Sequence, residues 1–341
     1  MLLWIEGFEG FGTSVGSAPS PSGIMARKYS QVDTESAIDI EAGRFSGYSA
    51  QLVSTNQQIY APNLTVDSTV TIGVAVKFTF FGSGHTFILL YDGATLGMNV
   101  RSQAAGELEV RLGTSSYATT SGLGLNTGIW YYIEFQVTCN NTTGSYELRV
   151  NGTTVLSDSG IDTQPGANAY HTRFSLNGGV MQPYFDDLYF LDSTGSQNTD
   201  FLGNSRVEAI YPDGDSGTIE WTPSTGNTNY NLIDEATCDD DTEYVEDSTT
   251  NHTDLYDYGA LQDITGSIFG LQINTQARIT DASPYSLITP CHSGSTDSDN
   301  SAQSLSASYT AIRRIMELDP DTAAAWISSG VDAAQFGVKV G

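Results

Sequence analysis

Apolar and polar residues alternate with a period of two along much of the first two hundred positions. The clearest run is 129–137. Ile129, Tyr131, Ile133, Phe135 and Val137 fall on one side of it, and Trp130, Tyr132, Glu134 and Gln136 on the other. Side chains alternate across a strand, so one face is wholly apolar and the other mixed. Residues 145–150 repeat the pattern, with Tyr146, Leu148 and Val150 set against Ser145, Glu147 and Arg149. Asn151-Gly152 follows at once. That dipeptide accepts the positive φ angles of a type I′ turn, which predicts a hairpin into 153–156. Further strand-like runs lie at 50–53, 70–81, 86–91, 97–101 and 107–112. Turn clusters separate them at short intervals, as an all-β sandwich requires.

The run 184–191, Tyr184-Phe185-Asp186-Asp187-Leu188-Tyr189-Phe190-Leu191, closes this set. Strict alternation places Asp187 with Phe185, Tyr189 and Leu191, and Asp186 with Tyr184, Leu188 and Phe190. One carboxylate is therefore expected on each face. Whichever face is buried must give its carboxylate hydrogen-bond donors or a cation. Loop amides or a tyrosine hydroxyl would serve the first need, and calcium at the sandwich rim the second. Asp213 and Asp215, in an oxygen-rich stretch read as a loop, join Asp186 and Asp187 as calcium candidates. The run Cys238-Asp239-Asp240-Asp241 is similarly rich in oxygen. None completes a calcium-loop pattern, so no cofactor is expected from a motif.

The polar stretch 192–200 suggests a boundary between a first domain, 1–195, and a second, 205–341, joined by a linker at 196–204. β-like runs in the second half lie at 206–211, 218–221, 268–277, 286–290 and 336–340. Asp319-Pro320 pairs an N-cap acid with proline at the first helical position, predicting one short helix over 320–328. Residues 13–23, rich in Ser, Gly and Pro, read as a loop or arm. The apolar start, Met1 to Glu6, reads as a first strand and not as a signal peptide.

A chain of 341 residues is long enough for two cores. Only 16% of residues are charged, and 35 Gly and 18 Tyr fit β-sandwich composition. No stretch approaches the roughly 20 apolar residues of a membrane helix. Net charge is −27, with 18 acids and 8 bases in 1–200 and 22 acids and 5 bases in 201–341. Such a surface repels nucleic acid and anionic membrane, so neither is an expected partner. Three cysteines, Cys139, Cys238 and Cys291, point to a reducing place of synthesis, with Cys238 and Cys291 a candidate pair.

Catalytic patterns are incomplete. Sandwich-fold glycoside hydrolases of the laminarinase type carry paired acids on one strand face, one as nucleophile and one as acid/base. The nearest match, Ala37-Ile38-Asp39-Ile40-Glu41, has alanine in place of the first acid, and Glu107-Leu108-Glu109 has no third. His85, His171, His252 and His292 fall in no nucleophile or metalloprotease motif. No enzymatic role is expected. Rim residues suited to a sugar are Tyr91, Asp92, Tyr117, Asn168 and Tyr170.

The first 195 residues resemble concanavalin A-like, laminin G-like domains. The segments that carry this are Gly43-Arg44 through Leu52, Gly106 to Val110, Trp130-Tyr131, Tyr146 to Gly152 and Phe185 to Tyr189. The whole chain resembles structural proteins of tailed bacteriophages, in its start Met1 to Glu9, in Asn198 to Gly203, in Trp221-Thr222-Pro223-Ser224, and in Trp326 with Phe336 to Val340. The resemblance implies an all-β chain of two β-sandwich or jelly-roll domains, the first concanavalin A-like. It implies a non-catalytic virion component made in the bacterial cytoplasm, either a capsid decoration or cement protein or a head or tail fibre module. Other virion proteins would be its partners, docked through residues 1–11, with a homo-oligomer, a trimer by particle symmetry, as its assembly. The alternative is a receptor-binding adhesin that grips host surface polysaccharide.

Overall fold

The computed structural model describes residues 1–12, 20–33, 38–53, 57–82, 84–262, 266–281 and 283–341. They form two compact units, Met1–Val207 and Glu208–Gly341, and both are built from antiparallel strands.

Two sheets face each other in the first unit. One runs, in spatial order, Thr153–Ile161, Gly144–Val150, Trp130–Thr138, Thr69–Lys77, Tyr184–Asp192, Tyr48–Leu52 and Ile38–Ala42, and Leu2–Glu6 also pairs with Tyr184–Asp192. The other runs Ser115–Thr119, Leu108–Leu112, Thr95–Ser102, His85–Asp92, Arg173–Asn177, Gln58–Tyr60 and Gln31–Val32. Ile72, Val74, Ile133 and Phe135 of the first sheet share one core with Leu90, Val100, Val110 and Phe174 of the second. Burying each such side chain stabilises the fold by about 1.5–3 kcal/mol. The Asn151-Gly152 turn has φ of 50° and 79°, as type I′ geometry needs. Asn151 also locks this hairpin to its neighbour: its N donates to Tyr132 O at 2.7 Å and its Oδ1 accepts from Tyr132 N at 2.8 Å.

Three expectations for this unit change. Residues 13–19 lie outside the described residues, but the loop expected to extend to Gly23 gives way to an α-helix at Pro21–Lys28. Ser20 Oγ accepts from Gly23 N at 3.2 Å, and Pro21 takes the first helical position, so Ser-Pro is a helix start here. The helix ends on Lys28, whose Nζ lies 2.8 Å from Glu6 Oε2 with both side chains buried. Second, the segment 1–11 is not free for docking. Leu2, Trp4, Phe8 and Phe11 are buried, the last three in the unit's own core. Third, the supposed linker 196–204 packs on the first unit. Gly203 N donates to Glu134 Oε1 at 2.8 Å, and Leu202 N to Tyr189 Oη at 3.1 Å. The unit therefore ends at Val207, past the expected boundary at 195.

A seven-stranded sheet organises the second unit. Its central strand Gln335–Val340 pairs with Thr253–Tyr258, Ser286–Ile288 and Cys291–Ser293. Two two-stranded ribbons accompany it, Thr222–Pro223 with Val245–Glu246 and Leu271–Ala277 with Thr310–Met316. Among the described residues, one small buried cluster lies around Trp326 and Phe336 and another around Tyr256 and Val338. Residues 206–211, expected as a strand, form none. The expected helix at 320–328 is replaced by Ser328–Ala333. Asp319 explains the shift, because its Oδ1 accepts from Ser293 Oγ at 2.7 Å and Asp321 N at 3.0 Å and closes a turn. None of the three cysteines forms a disulfide, so the expected Cys238–Cys291 pair is not bridged.

Candidate functional site

The Asp186-Asp187 pair sits at an irregularity in the strand Tyr184–Asp192. Asp186 faces Ala75 on the neighbouring strand, and the next matched pair is Tyr189 with Gly73. One extra residue is accommodated in between, and Asp187 has φ of 51°, which makes a β-bulge. The bulge reverses the side-chain phase. Phe185 points into the core before it, and Leu188 and Phe190 point into the core after it. Both carboxylates therefore lie on the outer face with Tyr184 and Tyr189. This corrects the expectation of one carboxylate per face, which assumed unbroken alternation.

On the strand's other side the partner changes at the same place. Tyr184 and Phe185 pair with Tyr48–Leu52, while residues 188–191 pair with Leu2–Glu6. Asp186 and Asp187 occupy the gap between those two partners, and their four carboxylate oxygens each receive a donor. Asp186 Oδ1 accepts from Asp187 N at 2.7 Å and Oδ2 from Arg44 N at 2.7 Å. Asp187 Oδ1 accepts from Val207 N at 2.8 Å and Oδ2 from Arg44 Nη1 at 3.2 Å. The Arg44 guanidinium also donates to Ser205 O at 3.3 Å and to Asn204 Oδ1, and it lies 5.3 Å from the Tyr132 ring centroid. Tyr132 Oη in turn donates to Asp187 O at 3.0 Å. A calcium ion here would have to displace a guanidinium that already balances the pair.

Two more acids extend the cluster. Glu134 is fully buried and accepts from Tyr189 Oη at 2.6 Å. Glu9 is pushed up to about 9, by burial first and by the Asp186 carboxylate next. Burial also raises Asp186 and Asp187, with the adjacent Asp187 adding to the rise at Asp186. Asp186 and Asp187 are only 3% and 2% exposed, so neither presents an oxygen to a substrate.

The remaining candidates are scattered. Asp213 is exposed, Asp215 accepts from Tyr230 N at 2.8 Å, and both lie within the strand Pro212–Ile219, not in a loop. Glu235, Asp239 and Glu243 bring one carboxylate oxygen each within 4.8 Å of one another, and burial and the neighbouring acids push Glu235 up to about 7. Of these three, only Asp239 stood out in the sequence. Ala37 lies outside the described residues, and Asp39 and Glu41 lie on the terminal strand of their sheet. Glu107 accepts from Gly122 N and Leu123 N at 2.8 and 3.1 Å, while Glu109 lies 3.7 Å from Arg101 and 3.8 Å from Arg111. Of the sugar candidates, Tyr91 and Asp92 are buried and Tyr117 is half-buried, which leaves Asn168 and Tyr170 exposed.

A second grouping on the same outer face escaped the sequence reading. Trp130 pairs with Lys77, Lys77 with Tyr184, Tyr184 with Gln51, and Gln51 with Asp39. Five neighbouring strands thus contribute one side chain each to a single transverse row. At about 4.8 Å per strand the row is roughly 19 Å long. Trp130 and Tyr184 meet edge to face with ring centroids 6.4 Å apart, and Lys77 Nζ lies over both, 4.8 Å from the Trp130 centroid and 3.8 Å from that of Tyr184. Loops bordering this end are tied together by Gly128 N to Phe78 O at 2.8 Å and Thr79 N to Met181 O at 3.3 Å. They carry the exposed Phe80, Ile129 and Val180. The sequence places Trp130 on a mixed face with Tyr132, Glu134 and Gln136, but not the register that joins it to Lys77 and Tyr184.

No family model and no curated protein matches this chain. Among solved structures it is similar to an endo-β-1,4-glucuronan lyase of the fungus Trichoderma reesei, at 11% identity over 48% of this chain and 90% of that one, with a TM-score of 0.39. It is also similar to alginate lyase Aly36B, at 15% identity over 55% and 96%, TM-score 0.39. A third is domain 4 of AbnA, an extracellular arabinanase of Geobacillus stearothermophilus, at 20% identity over 45% and 74%, TM-score 0.34. No functional assignment is drawn from likenesses at these levels.

Proposed function

We propose that the chain is a non-enzymatic structural component of a tailed-phage particle, an accessory element of the head or tail. The observation that supports a structural role is the Arg44-Asp186-Asp187 cluster. Its acids are buried, saturated by backbone amides and balanced by a guanidinium, so they act as internal ties. Asp254 of the second unit is used the same way. It is fully buried and accepts from Glu220 N, Trp221 N, Asn229 Nδ2 and Tyr256 Oη at 2.6–2.8 Å. Buried carboxylates that tie loops to sheets suit a protein selected for rigidity.

Support for the particle setting comes from the segments that carry the phage resemblance, which are built into the frameworks of the two units. The start forms Leu2–Glu6 beside the bulged strand, residues 198–203 close over Glu134 and Tyr189, and Phe336 to Val340 lie in the central strand of the second sheet. Assembly as a trimer on other virion proteins belongs to this proposal. Removing the protein from purified particles tests it: particles that lose it should release their genome at lower temperature or lower salt. Particles with unchanged stability and unchanged infectivity would contradict it.

The Trp130-Lys77-Tyr184 row favours a second reading, an adhesin that holds host surface polysaccharide. Binding of the purified protein to host cells, competed by their extracted polysaccharide, is its test.

A further inference from the structure

We infer that the transverse row Trp130, Lys77, Tyr184, Gln51 and Asp39 is a binding site for a neutral polysaccharide laid across the strands. The inference deepens the adhesin reading and rests on it.

Four observations carry it. Trp130, Lys77, Tyr184 and Asp39 are all half-exposed, with Gln51 buried between Tyr184 and Asp39, so the row is open at both ends, unlike the sealed acids beside it. The edge-to-face contact of Trp130 with Tyr184 and the Lys77 ammonium over both rings hold the two aromatic side chains in place, which lowers the entropy lost when a ligand packs on their open edges. Pyranose rings present C–H faces that pack on such rings, and their hydroxyls need planar acceptors and donors at the edge. Asp39 supplies a carboxylate in the same row, and Gln51, buried with its Nε2 donating to Gln182 O at 3.3 Å, leaves its amide oxygen. The row spans roughly 19 Å, a length that matches several sugar residues and not a single small molecule.

Charge selects the ligand class. Lys77 is the row's only cation, while Asp39 lies in the row and Glu41 two residues further along the same strand. Burial lowers the Lys77 ammonium and raises the Tyr184 hydroxyl from their ordinary values, and the nearby Glu41 carboxylate raises both. The local balance is negative in a chain of net charge −27. A polyuronate would be repelled by this surface, whereas an uncharged chain of hydroxyls would not. Phe80 and Ile129, exposed at the border, extend the apolar floor toward one end of the row.

Affinity electrophoresis of the full chain tests this, with dextran, galactomannan, glucomannan and mixed-linkage β-glucan as neutral probes and alginate and pectate as acidic ones. At least one neutral polysaccharide should retard the protein, and the acidic ones should not. Trp130→Ala should weaken that retardation about tenfold, the size of one lost aromatic contact. Tyr184→Phe and Gln51→Ala should weaken it less, and Ile327→Ala, at an exposed residue of the second unit, should leave it unchanged. A matched thermal midpoint shows that Trp130→Ala is still folded; if it is not, Gln51→Ala decides. Retardation by no neutral probe, equal retardation of Trp130→Ala, or preference for alginate overturns the inference. So does release of unsaturated uronate ends from alginate or pectate, which would mark the row as a lyase centre. Cell binding that persists while every neutral probe fails overturns the ligand class alone. Failure of both removes the adhesin reading as well.

Discussion

Arg44 and Asp187 stand 143 residues apart in the chain, yet Nη1 and Oδ2 are 3.2 Å apart, with side chains 9% and 3% exposed. Removing one partner of such a pair leaves the other charge buried and uncompensated. Arg44→Met should lower the stability of the first unit by about 3–5 kcal/mol. Asp187→Asn in that background should recover part of the loss, because an amide needs no counter-charge. Urea melts of the four proteins give the coupling, and strictly additive losses would contradict the tie.

Glu9 predicts an unusual pH dependence. Its carboxyl is pushed from 4.5 up to about 9, so the folded state keeps a proton that the unfolded state releases. Where the folded state binds more protons, stability falls as pH rises. The contribution is complete below pH 4.5 and is lost on the way to about pH 9. Its slope is at most about 1.4 kcal/mol per pH unit. Asp186, also raised, adds in the same direction. Calorimetry of the first unit's transition should show this decline, and Glu9→Gln should flatten it. A slope untouched by Glu9→Gln would contradict the assignment.

Tyr189 joins two parts of the outer face. Its hydroxyl donates to Glu134 at 2.6 Å and accepts from Leu202 N at 3.1 Å. Tyr189→Phe should cost about 1–3 kcal/mol by leaving Glu134 short of a donor. Hydrogen exchange should accelerate at Leu202 and Gly203 and stay unchanged in the hairpin Gly144–Val150 and Thr153–Ile161. Unchanged exchange at Leu202 would show that the segment is held by something else.

The boundary at Val207 is testable by shortening the chain. A chain ending at residue 207 keeps the Val207 and Gly203 amides on Asp187 and Glu134. One ending at residue 195 loses both, and its thermal midpoint should be lower by about 10 °C. Equal midpoints would restore the linker interpretation.

Much of the first sandwich is legible in the sequence because its signals are local. Alternation gives the strand Trp130–Thr138, and Asn151-Gly152 gives its hairpin. What failed depended on backbone groups or on distant register. The phase of Tyr184–Asp192 changes at Asp187, whose left-handed backbone no alternation count reveals. A trace existed all the same: Phe185 and Leu188 are three apart, and both are core residues only if one residue between them is extra. Residues 196–204 look like a linker because their role is played by N–H groups, which every residue type but proline offers. Asp319 reads as a helix cap because cap and turn use the same side-chain chemistry. The row from Trp130 to Asp39 needs four strand registers at once, and one sequence supplies none of them.

The virion proposal is tested most directly by quantitative mass spectrometry of particles purified from a culture that produces this chain. The account predicts that the chain co-purifies with intact particles in a fixed ratio to the major capsid or tail protein. A chain found only in the soluble lysate, and absent from purified particles, would contradict it.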